Sequence, residues 1–93
     1  MALTIAGNSP IKVTGTAATS EDITTDEIFV KFITWYKPTT VGHLLNLNDG
    51  DGNNIITLYC DTADESQLWP IYTNCRGLAC DDMDSGTLFI FRR

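Results

Sequence analysis

The stretch of this 93-residue chain with the clearest chemical pattern is Asn48-Asp49-Gly50-Asp51-Gly52-Asn53-Asn54. Counting from Asp49, oxygen-bearing side chains fall at positions 1, 3 and 5 (Asp49, Asp51 and Asn53), as in a helix–loop–helix calcium loop. Position 6 of such a loop is glycine and position 12 a bidentate glutamate. Here they are Asn54 and Cys60, and the flanking segments have strand character. The alternative is a tight turn between two strands, for which Asp-Gly and Gly-Asn supply the required positive φ angles. The turn accounts for every residue of the stretch. Weak calcium binding at Asp49–Asn53 accounts for half of them.

The other reactive side chains form weaker patterns. His43 is the sole histidine, and no serine or cysteine is spaced from it as a nucleophile's partner would be. Cys60, Cys75 and Cys80 with His43 would make a Cys3His zinc set, but the paired knuckles of such sites are missing. An odd number of cysteines and no signal-peptide pattern favour buried free thiols. A Cys75–Cys80 bridge closing a short loop is the alternative. Acids cluster as Glu21-Asp22, Asp26-Glu27, Asp64-Glu65 and Asp81-Asp82-Met83-Asp84, each in a segment with turn character. Nothing selects one pair of them for glycosidase-type catalysis. We therefore assign no catalytic residue, no metal site and no cofactor.

Twelve acids against six bases give a net charge of −6. That argues against a nucleic-acid backbone or an anionic membrane as the partner. No apolar run approaches the ~20 residues of a membrane helix, and the first ten residues lack the basic region and apolar core of a signal peptide. Synthesis and retention in a cytoplasm are expected, unless the protein leaves inside a larger particle.

The elements that must position these side chains are strands. No window sustains a 3.6-residue period, whereas β-branched and aromatic residues gather in short runs between turn residues. Leu3-Thr4-Ile5 and Ile11-Lys12-Val13-Thr14 read as two strands, the second alternating in and out. Residues 16–27 read as a polar loop, with a short strand at Ile23 as an option. Residues 28–37, IFVKFITWYK, form the strongest strand. Ile28, Val30, Phe32 and Tyr36 fall on one face, and Phe29, Ile33 and Trp35 on the other. A strand apolar on both faces is central or covered by a partner. Residues 43–48 and 55–60 follow as a hairpin. Residues 66–73 read as irregular around Pro70, with Trp69, Ile71 and Tyr72 partly buried. A short strand at 78–80, an acidic turn at 81–86 and a strand at 87–91 complete the chain. The expectation is one all-β domain over residues 1–93, a small antiparallel β-sandwich or jelly-roll-like barrel of seven to eight short strands.

Trp35, Tyr36, Trp69, Tyr72, Phe89 and Phe91 are many aromatics for a thin domain. Either two packed sheets bury them all, or some mark a binding surface.

The order of Ile33-x-Trp35, Gly42-His43-x-Leu45, Asn48-Asp49-Gly50-Asp51-Gly52-Asn53, a tryptophan segment, Gly77-Leu78 and Asp84-Ser85-Gly86-Thr87-Leu88-x-Ile90 resembles a group of small virion structural proteins of tailed bacteriophages. The resemblance covers roughly residues 28–92 and rests on turn and strand signatures. It implies a non-enzymatic capsid decoration (cement) protein, made in the host cytoplasm and seated on the capsid exterior. Such proteins are often trimers that bind the major capsid protein or another virion protein where capsomers meet. The near variant is a neck or tail component. Residues 1–15 would act as strands or an arm engaging a neighbouring subunit by β-augmentation, through Leu3/Ile5 and Ile11/Val13. The interaction candidates are then Leu3, Ile5, Trp35, Tyr36, Trp69, Tyr72 and Phe91. A carbohydrate-binding module using Trp35, Trp69 or Tyr72 as a sugar platform is the alternative class. A small enzyme dependent on His43 is the third.

Overall fold

A computed structural model describes residues 3–93. The chain is all-β, as the alternation of short apolar runs predicts. Its seven strands are β1 (Leu3–Ala6), β2 (Ile11–Gly15), β3 (Glu21–Tyr36), β4 (Leu44–Asp49), β5 (Asn54–Tyr59), β6 (Gln67–Met83) and β7 (Thr87–Arg92). All pair antiparallel in one sheet of order β1-β2-β7-β3-β6-β4-β5. The described residues contain no helix, hence none long and apolar enough to cross a membrane.

Two long strands organise the sheet. β3 and β6 pair along almost their whole length, from Glu21↔Cys80 to Trp35↔Gln67. The C-terminal half of β3 carries β7, which carries β2 and β1. The C-terminal half of β6 carries β4 and then β5. The two ends of the sheet nevertheless share one core. Leu3, Ile11 and Val13 from one wing cluster with Leu45, Leu47 and Leu58 from the other, around Ile33, Trp35, Leu78, Met83, Leu88 and Ile90. The sheet therefore folds over on itself, in the manner of a small sandwich or partly closed barrel. A bridge between Ala17 and Met83, with 3.0 Å hydrogen bonds in both directions, pins the β2–β3 connection to the end of β6.

Three sequence expectations change. The loop expected at 16–27 gives way at Glu21 to β3, because Ile23 and Ile28 reach the core while the acids between them face water. The irregular segment at 66–73, the short strand at 78–80 and much of the acidic turn are one 17-residue strand. Pro70 fits in it because residues 67–74 pair with β3 alone, so a proline on that open edge breaks no second ladder. The faces of 28–37 also differ from strict alternation. A bulge between Val30 and Phe32 leaves Lys31 unpaired and shifts the phase. Ile28 and Val30 point inward before it, and Ile33 and Trp35 after it. Phe32 and Tyr36 are thereby turned to the outer face.

The three cysteines are free and buried. Cys75 and Cys80 lie five residues apart on a continuous strand, a span of roughly 16 Å. A disulfide needs Cα atoms within about 7 Å, so β6 rules out the bridge considered from the sequence. Desolvation pushes both thiols up, that of Cys80 to about 12.

Candidate interaction surface

The β4–β5 connection is built as a turn. Asp49 Oδ1 accepts the N–H groups of Asp51 (3.0 Å) and Asn53 (2.8 Å), and Oδ2 accepts from the Asn53 amide (3.3 Å). These bonds, led by that from the Asn53 backbone, hold the Asp49 carboxyl below its ordinary pKa. Its oxygens thus serve the chain's own amides. Gly50 packs against the bend of β6, where an added Cβ would stand 2.0 Å from the Arg76 carbonyl oxygen. Among the described residues, no three His, Cys, Asp or Glu side chains are grouped to hold a metal ion.

His43 and Ser85 are 42 residues apart in sequence, and the fold joins them. His43 Nδ1 lies 2.7 Å from Ser85 Oγ, which also accepts the Thr39 N–H at 3.0 Å. The Ser85 carbonyl accepts the Trp35 indole N–H at 2.9 Å, and Asp84 Oδ2 accepts the Leu44 N–H at 3.0 Å. The carboxylate thus engages a backbone amide rather than the imidazole, and the serine oxygen is occupied by Thr39. Chemically this is a clamp that fixes the 84–86 turn to the ends of β3 and β4.

The outer face of β2, β7, β3 and the first half of β6 differs in character. Register places Lys12, Phe89, Thr34 and Leu68 in one row across the four strands, and Phe91, Phe32 and Pro70 in the next. Tyr36 lies opposite Thr87. Phe32 and Phe91 stack with centroids 4.4 Å apart, and Tyr36 meets Phe89 edge-on at 6.2 Å. Leu68 and Tyr36 are 63% and 46% exposed, and Phe29, Phe32, Phe89 and Phe91 are half-buried. Cations frame the rings. Lys37 Nζ sits 5.5 Å from the Tyr36 centroid and the Arg93 guanidinium 4.2 Å from that of Phe29. No acid projects from these rows, although the chain as a whole carries −6. Glu27, two residues before Phe29 on the same side of β3, lies beyond these rows and accepts from the Asn74 amide at 3.2 Å. Apolar rings and a basic rim together make a face suited to an acidic, partly apolar surface.

The sequence candidates divide accordingly. Tyr36 and Phe91 lie on this face. Trp69 and Tyr72 are 44% and 64% exposed along the open edge of β6, with Tyr72 at a φ of 47°. Both are more open than the partly buried positions expected. Trp35, by contrast, is fully buried, and Leu3 belongs to the same core. Neither is placed to touch a partner or stack on a sugar. Both point inward because Trp35 pairs with Leu88 and Leu3 pairs with Gly15, beside inward-facing Val13. Ile5 is half-buried and packs against the core. Residues 1–2 of the expected N-terminal arm lie outside the described residues. The rest of that arm forms β1 and β2 within the chain's own sheet. Phe29, Phe32 and Leu68 were not singled out from sequence, and Phe89 was noted among the aromatics without being taken as an interaction candidate. The signal for β7 was its Phe-x-Phe alternation against Leu-x-Ile. For β3 no such signal existed, because the bulge conceals it.

Comparison of the chain with protein-family models, curated proteins and solved structures finds no match.

Proposed function

We propose that this chain is a non-enzymatic docking module that seats the aromatic outer face of β7, β3 and β6 on the surface of a protein assembly. The observation that carries this reading is the row of rings on one sheet face, with Tyr36 and Leu68 at its exposed end. The resemblance of residues 28–92 to small tailed-phage virion proteins makes that assembly a capsid, and the protein a decoration (cement) protein. A neck or tail position would use the same face. Such a protein stabilises by mass action, because it binds the assembled shell across subunit joints and not the loose subunits. The basic rim selects an acid-bearing surface. It also disfavours packing of two such faces against each other, which would oppose like charges. A trimer, if formed, is then held by other surfaces.

The test is co-sedimentation with assembled shells, and separately with unassembled shell protein, of the virus encoding the chain. Wild type is expected to bind shells alone. A Tyr36→Ser/Phe89→Ser variant that keeps its fold by circular dichroism should bind at least about tenfold more weakly, since truncating aromatic hot spots at an interface costs about 2 kcal/mol or more. Equal binding by the variant, or no binding by wild type, overturns the proposal. Light scattering on a sizing column reports the oligomer.

A further inference from the structure

Bordering the aromatic face at Leu68, the turn between β5 and β6 forms an open pocket of about 320 Å³. Asp61, Thr62, Glu65, Ser66, Gln67, Leu68 and Trp69 line it. The tryptophan is fixed in place. Its indole N–H donates to Gln67 Oε1 at 3.2 Å, and Gln67 Nε2 donates to the Tyr59 carbonyl at 2.7 Å. The indole therefore has no N–H left to offer a ligand and presents its ring, while the Gln67 amide is engaged at its oxygen and through one of its two N–H donors. Ser66 Oγ already accepts the Lys37 N–H at 3.1 Å. Among the described residues, the carboxylates of Asp61 and Glu65 have no hydrogen-bond or ion-pair partner. Lys37, tied to the same turn, directs its ammonium over Tyr36 instead.

The pocket sets two unpartnered carboxylates beside the hydroxyls of Thr62 and Ser66, with an aromatic wall. A neutral sugar would leave the charges of Asp61 and Glu65 unbalanced. A guanidinium only donates, carries charge that two carboxylates balance, and stacks on tryptophan. We propose that this pocket binds an arginine side chain presented by an extended peptide segment of a partner. The open edge of β6 at residues 67–74, which begins in the pocket wall, lets that segment run alongside. The locked indole lowers the ordering cost of binding. This proposal does not depend on the aromatic face, so failure of either leaves the other standing.

The probe is the capped tripeptide Gly-Arg-Gly, titrated into the full chain while the Trp69 indole N–H is followed by NMR. The neutral isostere Gly-citrulline-Gly serves as control. Trp35, fully buried, provides an internal reference signal. The arginine peptide is expected to shift the Trp69 resonance with a dissociation constant on the order of a millimolar, and citrulline to leave it unmoved. Asp61→Asn and Glu65→Gln should each weaken binding about two- to fivefold, as for partly exposed charge pairs, without changing the Trp69 chemical shift of the free protein. No shift up to about 20 mM peptide, well beyond a millimolar-range constant, overturns the proposal. So does equal binding of citrulline, or saturable binding of cello- or xylo-oligosaccharides with none of arginine.

Discussion

Replacing Trp35 with phenylalanine separates a core role from a contact role. The indole is fully buried and its N–H donates to the Ser85 carbonyl at 2.9 Å. Phenylalanine keeps the aromatic packing and removes two things. The first is the hydrogen bond, whose loss leaves a carbonyl unpaired in a part-buried site and costs about 1–3 kcal/mol. The second is roughly 40 Å³ of side-chain volume, which at about 24 cal/mol per Å³ of cavity adds about 1 kcal/mol. The total is about 2–4 kcal/mol. A chain of this length has about 5–14 kcal/mol of stability in all. At about 4–8 °C per kcal/mol the midpoint of thermal unfolding should fall by roughly 10–30 °C. Urea unfolding followed by circular dichroism reads the change directly, while Trp69→Phe, at an exposed edge, should cost less than about 1 kcal/mol. A Trp35→Phe protein within about 0.5 kcal/mol of wild type would refute the reasoning and return Trp35 to the surface.

Other outcomes follow from the same geometry. Gly50→Ala forces a Cβ onto the Arg76 carbonyl and should destabilise by about 1–3 kcal/mol. Gly52→Ala, with open space around a φ of +90°, should cost only about 1 kcal/mol. The reverse order in denaturant titrations would contradict the packing of the hairpin on β6. Asp82 has a buried oxygen without a hydrogen-bond partner. Its pKa is raised by burial first, and then by the neighbouring carboxyl of Asp84 and the charge of Asp81. A raised folded pKa means that the ionised form is disfavoured in the fold, so stability falls as pH rises from about 3.8 through the folded value. Asp82→Asn should therefore melt above wild type at pH 7, and the gap should close on acidification. A gap that does not depend on pH would refute the assignment. Cys80, with its thiol pushed up to about 12, should react with a thiol reagent at pH 8 only as fast as the protein unfolds. Rapid labelling of Cys80 in the native protein would show that the core is not closed there.

Local chemistry made part of this fold legible. Alternation placed β2, and a glycine-rich turn between two apolar runs placed the β4–β5 hairpin. What the sequence hid was continuity. Pro70 read as a break in β6, yet it lies on the open edge of one strand that runs on through Gly77 to Met83. Residues 21–27 looked like loop because the strand they pair with, through Glu21↔Cys80 and Thr24↔Leu78, lies more than fifty residues on. The candidate surface was half visible. Tyr36 and Phe91 were identified, but one unpaired residue at Lys31 exchanged the faces of β3, sending Trp35 inward and Phe32 out. Strict alternation cannot anticipate such a shift, since a bulge is fixed by pairing with β6 and β7 rather than by its own residues.

The insertion of β7 between β2 and β3 has a consequence for the order of assembly. Val13 meets Leu88 and Ile33 meets Ile90, so β1 and β2 have no route into the sheet until residues 87–92 have left the ribosome. A nascent chain stalled before β7 would hold a free N-terminal hairpin and an unpaired flank of β3, and both the shared core and the row of rings would be incomplete. The row of rings is thus complete only once β7 has been made, so nothing engages it as a whole before then.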